Sequence, residues 1–345
     1  LVHFHLGSQI TDIRHVKAGL EEITRYYAEL RGMGFDITHV DVGGGLGVDL
    51  ADELARPGEH QLQLAAAEMA DRLEALFERF SVKAQMFHAG MLCGINDLAP
   101  EDDTGQLHLV KRGAVVVSHH GAPDLRITTP SLLLYPRPLA HRFVTDPKEG
   151  AELTCANLRF EGGSTSPIAT ALPAVVCLPL EQLKGSGDVL ALIFEEAFEQ
   201  RCGRRALLDR LFEVVLIQIL RHLMSSGQTQ VGMLAGLAHP KLRLAMIAMH
   251  EKPAEDWSLE ALASRAGMSR SVFANAFREA VGCTPGVYLQ RWRASLVQQA
   301  LRQGRSLKII ASEVGYGSES ALSRSFKASF GMSPREWKQT LEVRH

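Results

Sequence analysis

Two short stretches near the end of the chain carry side chains of the kinds that read nucleic acid. Arg270, Ser271, Asn275 and Arg278 fall on one side of a helical pattern, and Ser320, Ser323, Arg324 and Lys327 on one side of another. An amide or hydroxyl can bond a base edge, and an arginine or lysine can meet a phosphate or fork onto a guanine. On the opposite side stand Phe273 and Phe277, and Leu322 and Phe326, each pair four apart, so that an apolar seam would turn inward. Entry into a major groove needs such a polar face on an otherwise packed helix. One such helix would be an ordinary amphipathic helix with a solvated face; two at matching places argue for more.

The elements that must hold these faces are written twice. The run from Ser258 to Gly267 returns from Ser306 to Gly315, 48 positions on. Beyond the glycines one residue is inserted, and the match continues with Phe277, Gly282, Pro285 and Tyr288 against Phe326, Gly331, Pro334 and Trp337. In each copy a serine suits an N-cap. Leu259, Leu262 and Ala263, or Leu307, Ile310 and Ala311, then form one apolar face, and a glycine ends the helix because a positive φ costs it little. Ser269 and Ser318 can each cap a second helix. Helix, glycine turn, helix is a helix-turn-helix unit, and the spacing predicts two. Charge agrees: from Asp256 onward 13 Lys and Arg face 7 Asp and Glu, a net of +6 in a chain whose total is −2. A basic tail on an acidic body suits phosphate neutralisation.

On these residues the segment from about Glu251 to Trp337 resembles the DNA-binding domain of AraC-type transcription regulators. The likeness includes a linking helix from about Pro285 to Arg302 and the closing run from Gly331 to Trp337. It implies two recognition helices entering successive major grooves about one turn apart. By that resemblance the base-facing positions are Ser271, Ala274 and Asn275 in the first helix and Glu319, Ser320, Ser323 and Arg324 in the second. The implied partners are double-stranded promoter or operator DNA, RNA polymerase, a small-molecule or oxidant effector, and a second copy of the chain.

With 345 residues and 46% hydrophobic content the chain has room for two or three domains. Its five cysteines are scattered without zinc spacing, as a reducing cytoplasm would favour. No run approaches a membrane span or looks like a signal peptide, and the longest apolar stretch, Val214 to Leu220, has the length of a buried helix segment.

The fold class expected is multidomain α+β. Residues 1–50 read as strand, helix and strand with a glycine-rich exit, Gly43 to Gly47, a βα-barrel fragment. This stretch resembles an internal piece of biosynthetic arginine decarboxylase, a pyridoxal phosphate enzyme. The resemblance places His5 against the pyridine ring and Ser8, Gly43, Gly44 and Gly45 around the phosphate. The family's Schiff-base lysine lies upstream of this motif, and Lys17 stands at no matching place, so the reading expects no catalysis and no cofactor. Residues 51–68 read as a junction, and Met69 would serve as a natural start for a regulator.

Within the domain expected over residues 69–180, the pattern from about Val82 to Leu180 alternates in short runs split by turns: Gln85 to Cys93, Gly105 to Lys111, Ala114 to Ser118, Ser131 to Tyr135 and Ala151 to Phe160. Such spacing predicts a small β-barrel or sandwich. His108, Gly113 and the run Pro136 to His141 resemble the two motifs of a cupin, specifically the cupin-like sensor preceding the DNA-binding domain in some AraC-type regulators. Gln106 stands at the first metal histidine's place, so only His108 and His141 remain of the ligand set. They read as polar residues of a barrel mouth, and no bound metal is expected. His119 and His120 read as solvent-facing residues of a hairpin turn. Cys93 and Cys155 fall in strand patterns where buried inert thiols are common, while the resemblance also implies an oxidant-responsive role. Residues 181–235 form a helical spacer with a hinge at 225–232, and 236–345 the DNA-binding domain.

Overall fold

The computed structural model describes residues 2–3, 25–26, 29–30, 33, 39–41 and 47–49, then 71–342 apart from 101–102, 120, 200 and 228–230. His5, Ser8, Gly43, Gly44, Gly45, His120 and the junction 51–68 lie outside the described residues. The chain divides into two compact units, Leu1–Asp71 and Arg72–His345. In the first, β1 (Val2–His3) runs parallel to β2 (His39–Asp41), and β3 (Gly47–Asp49) returns antiparallel on β2.

The second unit opens with α1 (Glu74–Arg79), which leads into a two-sheet sandwich. One sheet has the order β12 (Val176–Pro179), β9 (Ser131–Tyr135), β6 (Gly105–Arg112), β11 (Ala151–Phe160), β4 (Val82–Leu92). The other has β5 (Ile95–Leu98), β10 (His141–Thr145), β7 (Val115–His119) and β8 (Ala122–Ile127). Alternation delivers Val110, Leu133, Tyr135, Leu153 and Cys155 from the first and Val115, Val117, Ile127 and Phe143 from the second into one core. The five strands expected from sequence are present as β4, β6, β7, β9 and β11. β5, β8, β10 and β12 were not anticipated; β8 and β10 are no shorter than β7 and β9, but their runs lack a continuous apolar stretch and take their stability from pairing.

The sandwich is covered by helices. After α2 (Pro167–Ala171) come α3 (Gly187–Phe198) and α4 (Arg204–Ser225), the packed pair that the spacing predicted. α4 lies along the edge strand β4, where Glu213 and Asp209 accept the backbone N–H groups of Ala84 and Met86 at 3.2 and 2.7 Å. An edge strand would otherwise present open donors, and two carboxylates close it.

The remaining chain is helical: α5 (Met233–Ala238), α6 (Leu242–Glu251), α7 (Leu259–Arg265), α8 (Arg270–Val281), α9 (Pro285–Arg302), α10 (Leu307–Glu313), α11 (Glu319–Phe330) and α12 (Pro334–Glu342). α6 begins where the His239 ring accepts the backbone N–H groups of Lys241 and Leu242, so a histidine does the capping. α9 starts after Thr284, which accepts from Val287, with Pro285 in the first helical position where its missing N–H costs nothing. No helix among the described residues is long and apolar enough to cross a membrane.

Candidate nucleic-acid interface

The two halves of the repeat fold by the same local bonds. After α7 the N–H of Gly267 returns to the carbonyl of Ser264 and that of Met268 to Ala263, both at 3.0 Å. After α10 the N–H of Gly315 returns to Ser312 at 3.3 Å and that of Tyr316 to Ala311 at 2.8 Å. This paired closure needs a left-handed residue between, and Gly267 and Gly315 have φ of 57° and 83°. Of the four serines at N-caps, Ser258 and Ser318 accept the bonds from Ala261 and Ala321, whereas Ser269 and Ser306 make no side-chain cap bond. α8 and α11 then end alike on left-handed Gly282 and Gly331.

The apolar seam of each second helix is inward as expected: Phe273, Phe277, Leu322 and Phe326 are at most 1% exposed. Opposite, α8 exposes Arg270, Ser271, Asn275 and Arg278, and α11 exposes Glu319, Ser320, Arg324 and Lys327. Ala274 and Ser323 are half-buried at the margins of these faces. Arg270 is already engaged, in a 2.6 Å ion pair with Glu260 of α7. Both side chains are largely exposed, so a phosphate could displace a pair of this kind at little cost. Sequence reasoning missed Val272 and Glu279, which are exposed on the same face of α8. They lie three residues before and four after Asn275, so helical spacing from that residue would have found them.

The two units are fastened to each other through α9. Arg293 donates to the carbonyls of Pro253, Glu255 and Gly315 at 2.7, 2.9 and 3.5 Å, joining the approach to the first unit to the turn of the second. Its guanidinium also lies 5.6 Å over the Tyr316 ring. Gly315 is pressed on that same approach: a Cβ there would lie 2.5 Å from the Ala254 carbonyl oxygen.

The residues singled out in the sandwich are arranged differently from expectation. His108 and His141 do not line a mouth; they are 0% and 4% exposed, with Nε2 atoms 3.1 Å apart. Their strands belong to opposite sheets, and inward alternation brings them together in the core. His141 Nδ1 must donate to the Leu139 carbonyl 2.8 Å away, which leaves its Nε2 as acceptor and makes His108 Nε2 the donor. His108 Nδ1 is then a buried acceptor without a partner. Both rings stay neutral because burial pushes their pKa down, to about 4 for His141 and well below the usual 6.5 for His108. His119 is also a correction: it closes β7 and shares a 2.7 Å hydrogen bond with the buried Tyr135 hydroxyl. The chain turns one residue later than the sequence suggested, so this ring faces inward.

Across the sheet, His88, Cys155, His108, Leu133 and Cys177 stand directly opposite one another on successive strands. Cys155 is buried and desolvation raises its thiol pKa, which holds it in the unreactive protonated form. Cys93 is exposed beyond the end of β4, contrary to the burial expected of it. Among the described residues no group of three or more His, Cys, Asp or Glu is placed to hold a metal ion.

The second unit thus joins a two-sheet domain to two matched helix-turn-helix units. Residues 71–225 match the family model described as Cupin, and residues 262–340 the one described as Helix-turn-helix domain. Residues 1–87 match the pyridoxal binding domain of the pyridoxal-dependent decarboxylases. Among individual relatives, an AraC-like protein of Streptomyces antibioticus is 40% identical over 172 residues, 49% of this chain and 57% of that one. The chain therefore spans little more than half the length of that relative. The RCS-specific HTH-type transcriptional activator RclR of Escherichia coli is 27% identical over 237 residues, 67% of this chain and 83% of that one. The biosynthetic arginine decarboxylase of Alkalilimnicola ehrlichii is 57% identical over 56 residues, 16% of this chain and 9% of the enzyme. The chain thus carries a cupin-type domain and an AraC-like helix-turn-helix region behind a segment similar to arginine decarboxylase.

Proposed function

We propose that this protein is a sequence-specific DNA-binding regulator of transcription, in which α8 and α11 read two successive major grooves and the cupin-type sandwich receives a signal. The observation that carries this is the duplication at the level of hydrogen bonds: the same glycine closure and buried seam, each beneath an exposed polar face. The base-edge roles go to Ser271, Ala274, Asn275, Ser320, Ser323 and Arg324, and the phosphate roles to Arg270, Arg278 and Lys327. Glu319 stands at the base-facing end of α11. The similarity to AraC-like transcription regulators supports the same reading, and the proposal itself adds promoter DNA, RNA polymerase, a second copy of the chain and a cytoplasmic setting.

Functional division of the chain runs by the regions 1–50, 51–68, 69–180, 181–235 and 236–345. The effector is a small molecule or an oxidant. Cys93 is the accessible thiol for the second case, while His108 and His141 offer a small molecule a polar spot inside the sandwich. Residues 1–50 are read as a βα-barrel piece, which the parallel pairing of β1 and β2 supports, and by proposal as one without catalysis. Mixing the protein with pyridoxal phosphate is expected to give no new visible absorption band, and such a band would favour the decarboxylase reading instead.

Selection of duplexes from a random library tests the main proposal. The expected product is one motif with two contacted half-sites about 10 base pairs apart. Retention of random duplexes without enrichment would overturn it.

A further inference from the structure

The sandwich side meets the helical region at α6 and α9, through the residues that lead into its own edge strand. α1 ends at Arg79, and Phe80 then passes the chain toward β4. Phe80 is 2% exposed and presents its ring edge-on to Trp292 of α9, with centroids 5.4 Å apart and planes at 67°. Trp292 stacks on His250 of α6 at 4.0 Å, and the His250 ring shares a 2.6 Å hydrogen bond with the Tyr288 hydroxyl of α9. The sensor side thus contributes the first ring of a continuous buried stack.

Arg79 is bonded in two directions. Its guanidinium donates to the carbonyl of Glu251, the last residue of α6, at 3.2 Å, while its own carbonyl accepts from the Gln299 amide of α9. α6 packs on α7 and α8, the helices of the first unit; α9 packs on α10 and α11 of the second and on α12, and also touches α8, where Phe277 meets Tyr288 edge-on at 5.7 Å. One residue outside the DNA-reading region therefore holds a helix belonging to each reading head. A third touch lies at Gly162 in the turn after β11, where an added Cβ would come within 3.3 Å of Arg302 Nη1; that guanidinium lies 4.9 Å over Trp337 of α12. Trp292, Gln299 and Arg302 succeed one another at seven and three residues, so the grip runs along one stripe of α9.

From this geometry we infer that Arg79, Phe80 and Gln299 are positioning residues for DNA recognition, locking α6 to α9 and so fixing the separation and twist at which α8 and α11 meet a duplex. The inference rests on the proposed reading of those two helices. The seams inside the two units are made by other residues, so loosening this contact changes the relation of the heads while leaving each head built. β4 carries the same contact back to His88 in the inner row of the sandwich, which gives a signal there a direct mechanical route. Adding one base pair between two contacted grooves moves the second by about 3.4 Å and a tenth of a turn. A locked pair tolerates one spacing; a loosened pair tolerates several.

Full-length protein is titrated with the selected duplex and with versions carrying one or two base pairs inserted or removed between the half-sites. Wild type is expected to lose roughly tenfold in affinity per base pair, on the order of one lost base contact. Phe80→Ala and Gln299→Met are expected to lose less than about threefold, with Phe80→Leu, which refills the space, returning toward wild type. A partly unfolded variant lowers apparent affinity for every duplex alike and leaves the ratio between spacings untouched, so the ratio reports positioning and not folding. An unchanged ratio in Phe80→Ala and Gln299→Met overturns this inference alone. Absence of any preferred duplex for wild type overturns the proposed function, and this inference with it.

Discussion

At the scale of single residues, the proposed function divides the work among side-chain types on the exposed faces. Asn275 has an amide with donor and acceptor side by side, which suits an adenine edge; Lys327 has a point charge that suits a phosphate and distinguishes no base. Asn275→Ala is expected to cost about 1–3 kcal/mol on the selected duplex and little on a random one. Lys327→Ala should weaken both alike and reduce the slope of log affinity against log salt by about one. Titration of both variants on both duplexes over a salt series checks this, and equal losses on the two duplexes from Asn275→Ala would remove the base-reading role. These faces were legible in the sequence because helical periodicity sorts Phe273 and Phe277 from Ser271, Asn275 and Arg278 without further information. The half-burial of Ala274 and Ser323 and the pairing of Arg270 with Glu260 were not, since they depend on neighbouring helices.

At the scale of elements, the turns carry the constraint. Gly315 is fixed twice over, by a φ of 83° and by the Ala254 backbone that a Cβ would strike at 2.5 Å. Gly315→Ala is expected to destabilise by several kcal/mol, on the order of 1–3 from the strained φ alone, because backbone cannot step aside as a flexible side chain can. Gly286 lies at the second position of α9 with nothing within 4 Å of an added Cβ, and Gly286→Ala should stabilise by about 0.5–1 kcal/mol through helix propensity. Urea midpoints of the two variants should therefore move in opposite directions from wild type; a shift in the same direction would mean that the turn is not the tight junction described. The repeat predicted a glycine at both turns. It could not predict that Gly315, unlike the exposed turn at Gly304, is held against another segment, because that contact joins residues 61 positions apart.

At the scale of the whole molecule, burial of neutral histidines ties stability to pH. His141 is held at about 4 and His250 at about 3, both by burial, with His108 also pushed well below 6.5. The unfolded chain binds protons near 6.5 that the folded chain refuses. Stability is then complete above about pH 6.5 and is lost as pH falls through 6.5 toward the folded values, by up to roughly 1.4 kcal/mol per pH unit for each histidine. Urea unfolding between pH 6.5 and 5.5, above the main carboxylate range, should show this slope, and His250→Gln should lower it by about one histidine's share. A slope unaffected by that substitution would show His250 to be protonated in the fold.

What the amino-acid sequence determined by itself is the periodic part: two helix-turn-helix units, α9 with the bounds Pro285–Arg302, and the longer strands of the sandwich. These come from local bonding rules and from the alternation of apolar and polar residues, which any segment carries within itself. Tertiary structure alone decided that His108 and His141 meet in the core, that His119 turns inward to Tyr135, that Cys155 is sealed while Cys93 is exposed, and that Arg79 and Phe80 bond and pack against α6 and α9. Each of those depends on which distant strand or helix lies opposite, and that is fixed by how several apolar faces close over one another, a relation that no single stretch of sequence contains.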